Sequence, residues 1–422
     1  MTSEEIGEAV WQMGKQARAA AHALTKLSTE KKNAILLAMA DAVMAREPDI
    51  IAANEEDLAA ADALGLTPAM KDRLRLDHER IAAMAQGIRD VALLHDPTGE
   101  IIREWSRPNG LEILKKRTPI GVIGIIFESR PNVTADAAVL CFKTGNATIL
   151  RGGKEAIFSN RAIAAALQEG GAPAGLPDHS IQLIPFTDRE SVRHLCEMDT
   201  YLDLIIPRGG ASLIEAVVSM ARMPVIKHYD GICHVFVDKD ADLAMAGAIT
   251  VNSKTQKPSV CNALETLLIH REVAAAFAPQ IAAALAAKKV EMRGDEAFRD
   301  LAGVEGVLPA TEEDWKTEYL DYILAVKVVD DLDAAIAHIN HYGSHHTDSI
   351  VTTNADAAAR FQLEVDSACV FWNCSTRFAD GAEFGFGAEI GISTDKLHAR
   401  GPMALEELCS YKYLVSGNGQ VK

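Results

Sequence analysis

The chain is 422 residues long, too long for one ordinary core, so two or three domains are expected. Its 48% hydrophobic and 24% charged content is that of a soluble globular protein, and the apolar run Ile120–Phe127 is far too short to cross a bilayer. A net charge of −17 argues against a nucleic-acid partner, which needs a basic face, so an anionic ligand has to be met by local cations.

The N-terminus, Met1-Thr2-Ser3-Glu4-Glu5, is acidic and lacks the basic-then-apolar layout of a signal peptide. Thr2 and Glu5 have capping-box spacing, and Ile6, Val10, Met13, Ala17, Ala20 and Leu24 recur behind them at helical intervals. Ser28 is placed to cap a second helix that buries Ile35, Leu36, Met39 and Val43. Ile81, Met84, Ile88 and Val91 form a further stripe before the turn at Asp96-Pro97-Thr98-Gly99. These stripes read as core. From residue 120 short β-branched runs follow, at Ile120–Phe127, Ala147–Leu150, Ile181–Ile184, Leu204–Ile206 and Val225–Ile226. Helical stretches such as Ser159–Leu167 and Ala211–Ala221 lie between them, which predicts βαβ crossovers and a parallel sheet covered on both faces. A second α/β pattern starts at His234–Val237 and runs to about residue 380.

Parallel sheets bind ligands beyond the carboxyl ends of their strands. Two loops at such ends are unusual: Arg151-Gly152-Gly153-Lys154 and Pro207-Arg208-Gly209-Gly210. Paired glycines let backbone N–H groups approach a phosphate, and the neighbouring cation supplies charge; a plain tight turn is the simpler reading of either loop alone. The G-x-G-x-x-G fingerprint of a Rossmann dehydrogenase is missing, since Gly385, Gly387 and Gly391 have the wrong spacing.

Seven cysteines, an odd number without metal-type pairing, point to a reducing, cytoplasmic compartment. Cys261 stands apart, in the polar approach Gln256-Lys257-Pro258-Ser259-Val260 to the apolar run Leu264–Ile269. A reachable thiol becomes a nucleophile when positive charge favours the thiolate, and Lys254 and Lys257 are close in sequence. On these residues alone a small loop cysteine is the simpler reading. His338, His341, His345 and His346 are dense but flank the turn Tyr342-Gly343-Ser344, with no cysteine or carboxylate at ligand spacing, so no metal site is expected.

Four segments carry a family resemblance: Gly124-Ile125-Ile126-Phe127-Glu128-Ser129-Arg130-Pro131-Asn132-Val133-Thr134, then Lys257 to Thr266, Phe384 to Thr394, and Lys396-Leu397-His398-Ala399-Arg400-Gly401-Pro402. Through them the chain resembles the aldehyde dehydrogenase superfamily, and within it the acyl-phosphate reductases. The resemblance implies an α/β fold with two parallel-sheet domains plus a small β oligomerisation flap. It divides the chain into a cofactor-binding domain (1–97 and 119–228), a catalytic domain (229–397) and the flap (98–118 and 403–420), in which Leu111–Leu114 and Tyr411–Leu414 are candidate edge strands for a second subunit. Cys261 falls at the catalytic thiol, Glu318 at the glutamate that grips the nicotinamide ribose, and Gly209 and Gly210 at the pyrophosphate loop. Arg151 replaces a lysine near the adenine-side ribose. Lys154 replaces the glutamate of NAD-preferring members, which favours NADPH because a lysine pairs with a 2′-phosphate.

Two departures from the superfamily pattern stand out. The glutamate that activates water in oxidising members has no counterpart in Lys227-His228-Tyr229-Asp230-Gly231, where His228 lies closest. Ungapped counting puts Glu128 at the oxyanion-stabilising asparagine, whereas Asn132, in the same segment, has the required amide; Asn132 and the Cys261 N–H are the expected donors. Arg130, Arg208 and Arg377 are candidate holders of substrate phosphate or carboxylate. The implied activity is NADPH-dependent reduction of L-glutamyl 5-phosphate to L-glutamate 5-semialdehyde and phosphate through a cysteine thioester, in proline biosynthesis. The implied partners are this small-molecule substrate, further copies of the chain in a homo-oligomer and glutamate 5-kinase. Rival readings are a sister enzyme acting on another acyl phosphate or a CoA thioester, an NAD-linked aldehyde oxidase, and a non-catalytic α/β scaffold with an inert Cys261.

Overall fold

The structure, a computed structural model, describes residues 2–422, which form two compact units. The first holds the chain up to Lys227 with Phe386–Gly391 and Met403–Lys422; the second holds His228–Gly385 and Ile392–Pro402.

Helix Ser3–Leu24 opens the first unit with the expected reciprocal cap, Thr2 accepting from the Glu5 N–H and Glu5 from the Thr2 N–H. Ser28 likewise caps Thr29–Ala45, whose buried Ile35, Leu36, Met39 and Val43 face helices His78–Leu93 and Ile157–Ala174. The latter ends where Pro173 removes a donor and Gly175 takes a left-handed φ of 96°. These helices cover a four-stranded parallel sheet in the order Ile181–Leu183, Ala147–Gly152, Val122–Phe127, Leu204–Arg208. Val225, expected in a strand, makes only an isolated bridge to Ile205. Pro207 lies in the edge strand, as its missing N–H requires.

A separate antiparallel sheet in this unit joins Ile101–Ser106, Glu112–Pro119 and Cys409–Ser416, with Glu112–Pro119 in the middle. The two segments read as edge strands pair with each other, Leu114 opposite Leu414. Trp105, Tyr411 and Tyr413 cluster on this sheet, with the Lys115 amine 3.6 Å from the Tyr411 ring centre.

The second unit is a seven-stranded, wholly parallel sheet in the order Leu308–Pro309, Glu291–Gly294, Ile323–Val329, Leu264–His270, Cys233–Val237, Thr347–Val351, Cys369–Trp372. Alternation along its central strands builds two cores. Val235, Val237, Leu267 and Ile269 face helices Leu243–Thr255 and Arg271–Ala287, while Phe236, Leu268 and Ile350 join Ile336, Ile339 and Phe361 on the other side.

Candidate active site

In the first unit three adjacent strands end in register, with Phe127 opposite both Gly152 and Arg208. Their carboxyl ends therefore deliver the loops beginning at Glu128, Gly153 and Gly209 to one edge. Gly210 caps helix Ala211–Met220, and its N–H donates to Glu128 Oε2 at 3.0 Å. A carboxylate thus sits where an aligned helix end and its free N–H groups favour an anion. A Cβ on Gly209 would stand 2.4 Å from that same oxygen, so a larger residue there would displace the Glu128 carboxylate. Next to it Glu155 Oε1 accepts from the Ser129 N–H at 2.6 Å and its hydroxyl at 2.9 Å, holding Ser129 at a φ of 46°.

The predicted cations on this edge differ in what they offer. Lys154 is exposed and makes no hydrogen bond or ion pair among the described residues. The Arg151 guanidinium is buried and donates to the Gly152, Thr187 and Asp188 carbonyls, so it braces the loop around the edge. Arg208 packs against the Gly391 backbone, with a Cβ on Gly391 falling 2.7 Å from its Nη1. Its charge also lowers the carboxyl of Asp136, which burial nevertheless pushes up to about 6. Asn132 precedes helix Val133–Lys143 and its amide donates to Asp136 Oδ2 at 2.8 Å. Arg130 is exposed on the same loop. The exposed N-terminus of helix Ala211–Met220 and the uncommitted Lys154 ammonium, both at this edge of the sheet, fit the phosphates of a nucleotide cofactor.

The second unit uses the opposite end of its sheet. Cys261 lies just before strand Leu264–His270, Gly231 before Cys233–Val237, His346 before Thr347–Val351 and Glu318 before Ile323–Val329. Cys261 and Cys374 are the half-buried cysteines of the seven; burial pushes the Cys141, Cys196 and Cys409 thiols up to about 12 and raises Cys233 and Cys374 as well. Gly231 packs directly on the cysteine backbone, since a Cβ there would lie 1.9 Å from the Cys261 carbonyl oxygen. That oxygen also accepts from the buried Cys233 thiol at 3.3 Å. Glu318 Oε1 accepts from the Gly231 N–H at 2.9 Å, and burial raises its carboxyl. The expected residues Cys261 and Glu318 are thus brought together through Gly231.

Two expectations about the thiol's surroundings change. Lys254 was placed near the thiol by sequence proximity, but its amine is wholly buried and bonded to Glu265 at 2.7 Å, while Lys257 is exposed. Arg377 instead packs on the cysteine loop: its carbonyl accepts from the amide of Asn262, the neighbour of Cys261, at 3.4 Å, and its Nε donates to Gln256 at 2.9 Å. His228 stacks edge-on against His346, ring centres 5.8 Å apart, and burial pushes the His346 imidazole down to about 4. Among the described residues no group of three or more histidine, cysteine or acidic side chains is arranged to hold a metal ion.

Gly231 and Cys233 escaped the sequence reading. Asp230-Gly231 looks like a surface turn, and only the fold reveals that its glycine touches the cysteine loop.

Residues 2–299 match the aldehyde dehydrogenase family. The chain is 55% identical over 417 residues to the gamma-glutamyl phosphate reductase of Geotalea daltonii, covering 99% of each chain. It is 56% identical over 411 residues to that of Enterococcus faecalis, covering 97% of this chain and 98% of the other. The crystal structure of gamma-glutamyl phosphate reductase from Thermotoga maritima superimposes with a TM-score of 0.95 at 44% identity, covering 98% of this chain and 99% of that one. The chain belongs to the aldehyde dehydrogenase family and, within it, to the gamma-glutamyl phosphate reductases.

Proposed function

We propose that the protein reduces L-glutamyl 5-phosphate to L-glutamate 5-semialdehyde and phosphate with NADPH, through a thioester on Cys261, as a step of proline biosynthesis. The observation that carries this reading is a half-buried Cys261 whose loop packs on Gly231 and, through it, meets Glu318, in a chain 55% identical along its full length to gamma-glutamyl phosphate reductases.

The Cys261 thiolate attacks the γ-acyl carbon; the C–S bond forms as the C–O bond to phosphate breaks, and phosphate leaves. The Cys261 N–H and the Asn132 amide are the proposed donors to the oxyanion, the latter once released from Asp136. When bound, the nicotinamide cofactor supplies the hydride that reduces the thioester. Collapse of the hemithioacetal then returns the thiolate and frees the aldehyde. Gly209 and Gly210 would border the pyrophosphate, with Arg151 bracing the loop. Lys154 would pair with the 2′-phosphate, and the Glu318 oxygen not used by Gly231 would meet the nicotinamide ribose. Arg130, Arg208 and Arg377 would hold substrate phosphate or carboxylate.

The segment Lys227-His228-Tyr229-Asp230-Gly231 contains no glutamate to activate water, so phosphate is the proposed acceptor of the thioester in the reverse direction. The reading includes a cytoplasmic homo-oligomer, for which the aromatic-bearing three-stranded sheet, whose outer strands each pair on one edge only among the described residues, is support. It also includes association with glutamate 5-kinase, which would shorten the exposure of a reactive acyl phosphate to water.

The test is reduction of NADP+ with L-glutamate 5-semialdehyde, with and without inorganic phosphate. Activity is expected to require phosphate. Equal rates without it would replace the acyl-phosphate assignment with the rival aldehyde oxidase.

A further inference from the structure

The loop carrying Cys261 begins after helix Leu243–Thr255 and ends at strand Leu264–His270. Lys254, in the last turn of the helix, and Glu265, second in the strand, flank it at both ends. Their side chains meet at 2.7 Å with no solvent exposure on either. The second Glu265 oxygen accepts from the Leu320 N–H at 3.2 Å, and Leu320 sits at a left-handed φ of 54° that a leucine adopts only when its surroundings impose it. Two residues earlier is Glu318, bonded to the Gly231 N–H, and Gly231 abuts the Cys261 carbonyl. The contacts close a circuit from helix end to strand, to the Glu318 turn, to Gly231 and back to the cysteine loop.

We propose that Lys254 and Glu265 are positioning residues, a buried staple that sets the Cys261 loop and the Glu318 turn relative to one another. Asn262, which donates to the Ala379 carbonyl and whose own carbonyl accepts from the Thr376 hydroxyl, anchors the middle of the loop; the Lys254–Glu265 pair fixes its two ends, and a drift of about 1 Å at a nucleophile is costly, on the order of a hundredfold in rate. An ion pair serves here because it is directional: an apolar pair would fill the space without tying Leu320 to the strand. The inference rests on the reading of Cys261 as the nucleophile and Glu318 as its partner in the site.

The test uses two variants, Glu265→Gln and the double variant Lys254→Met with Glu265→Gln. The glutamine keeps an acceptor for the Leu320 N–H, and the double variant leaves no unpaired buried charge. Three quantities are measured on the folded protein: the iodoacetamide alkylation rate of Cys261 by peptide mapping, kcat with KM for NADPH, and melting temperature. In the double variant a loss of tenfold or more in alkylation rate and kcat is expected, with a raised KM and a melting temperature within a few degrees of the parent. A double variant that holds alkylation and kcat within twofold would overturn the proposal. One that cannot be folded would assign the pair to stability alone, and also overturn it. Alkylation needs no substrate, so failure of the acyl-phosphate assignment, or of Cys261 as nucleophile in Cys261→Ala, is seen separately.

Discussion

The carboxyl edge of the four-stranded sheet and the amino edge of the seven-stranded sheet are built on opposite principles. At the first, strands run out into helix N-termini, and the exposed Gly209–Gly210 loop leads into one of them; charge comes from the backbone and Lys154. At the second, chain returns from helix C-termini into strands. That edge relies on side chains and contact: Gly231 pressed on the Cys261 carbonyl, the Cys233 thiol beneath it, Glu318 on the Gly231 N–H, and Lys254 buried against Glu265. A site for a nucleotide's phosphates can be assembled largely from backbone. A site for a thiol nucleophile has to be assembled from packing, because reactivity depends on where one sulfur atom stands.

The sharpest test of that contrast is Cys261→Ala. Turnover should vanish while NADPH binding, followed by fluorescence, stays near the parent value, since the thiol forms a bond and holds no nucleotide. Retention of a tenth of the activity would remove the covalent step. Cys233→Ala should fall well short of this loss, because that thiol is buried and supports the site through the Cys261 carbonyl and the His346 ring without meeting substrate.

Next in size is Gly231→Ala. Its Cβ would meet backbone at 1.9 Å, which no rotamer change relieves, so the cysteine loop has to move. A fall in kcat on the order of a hundredfold is expected, with intact folding by circular dichroism. Unchanged kcat would show that the close contact is incidental to the nucleophile.

Lys154→Glu probes the other edge. Losing one charge-assisted contact, worth roughly 1.5–3 kcal/mol, should shift relative affinity away from NADPH and toward NADH by about tenfold to a hundredfold. Equal loss for both cofactors would place Lys154 away from the 2′-phosphate.

The smallest effect is on stability. Burial depresses the His338 imidazole to about 2 and His346 to about 4, both in the second unit, so each stays neutral while folded. An unfolded histidine titrates near about 6.5. As pH falls from there toward 4 the unfolded chain binds protons that the folded chain refuses, and stability drops. Asp136 and Glu265, held up at about 6 and about 7, take protons in the folded chain over the same range and act the other way, so the check is a difference: by calorimetry, the melting temperature of the parent should fall relative to that of His346→Gln as pH goes from 7 to 5. A difference that does not change with pH would mean that the His346 ring is not held neutral.

Much of the first edge was legible in the chain. Helix caps at Thr2 and Ser28, the apolar stripes and the β-branched runs follow from local rules of hydrogen bonding and periodicity, and the structure repeats them. The glycine loops were visible for the same reason: a tight approach to a strand end leaves a local mark. Helix ends were less exact, Ile157–Ala174 extending beyond Ser159–Leu167 because Pro173 and Gly175 set the stop. Val225 was overread, since an apolar pair next to a proline does not by itself recruit a ladder partner.

The second edge was legible only at Cys261 and Glu318, and through family resemblance. Nothing local in Asp230-Gly231-Ile232-Cys233 distinguishes a packing glycine from a turn, because the atom it must avoid belongs to a residue thirty positions away. The sequence offers Lys254 as a charge for the thiol because its burial against Glu265 depends on a helix and a strand meeting. By itself the sequence determined the elements, their alternation and the residue types available for chemistry, since these rest on neighbours in the chain. Which side chains converge, which charges are spent on each other and which thiol stays reachable were decided by tertiary structure, because burial and close contact arise only when distant segments pack.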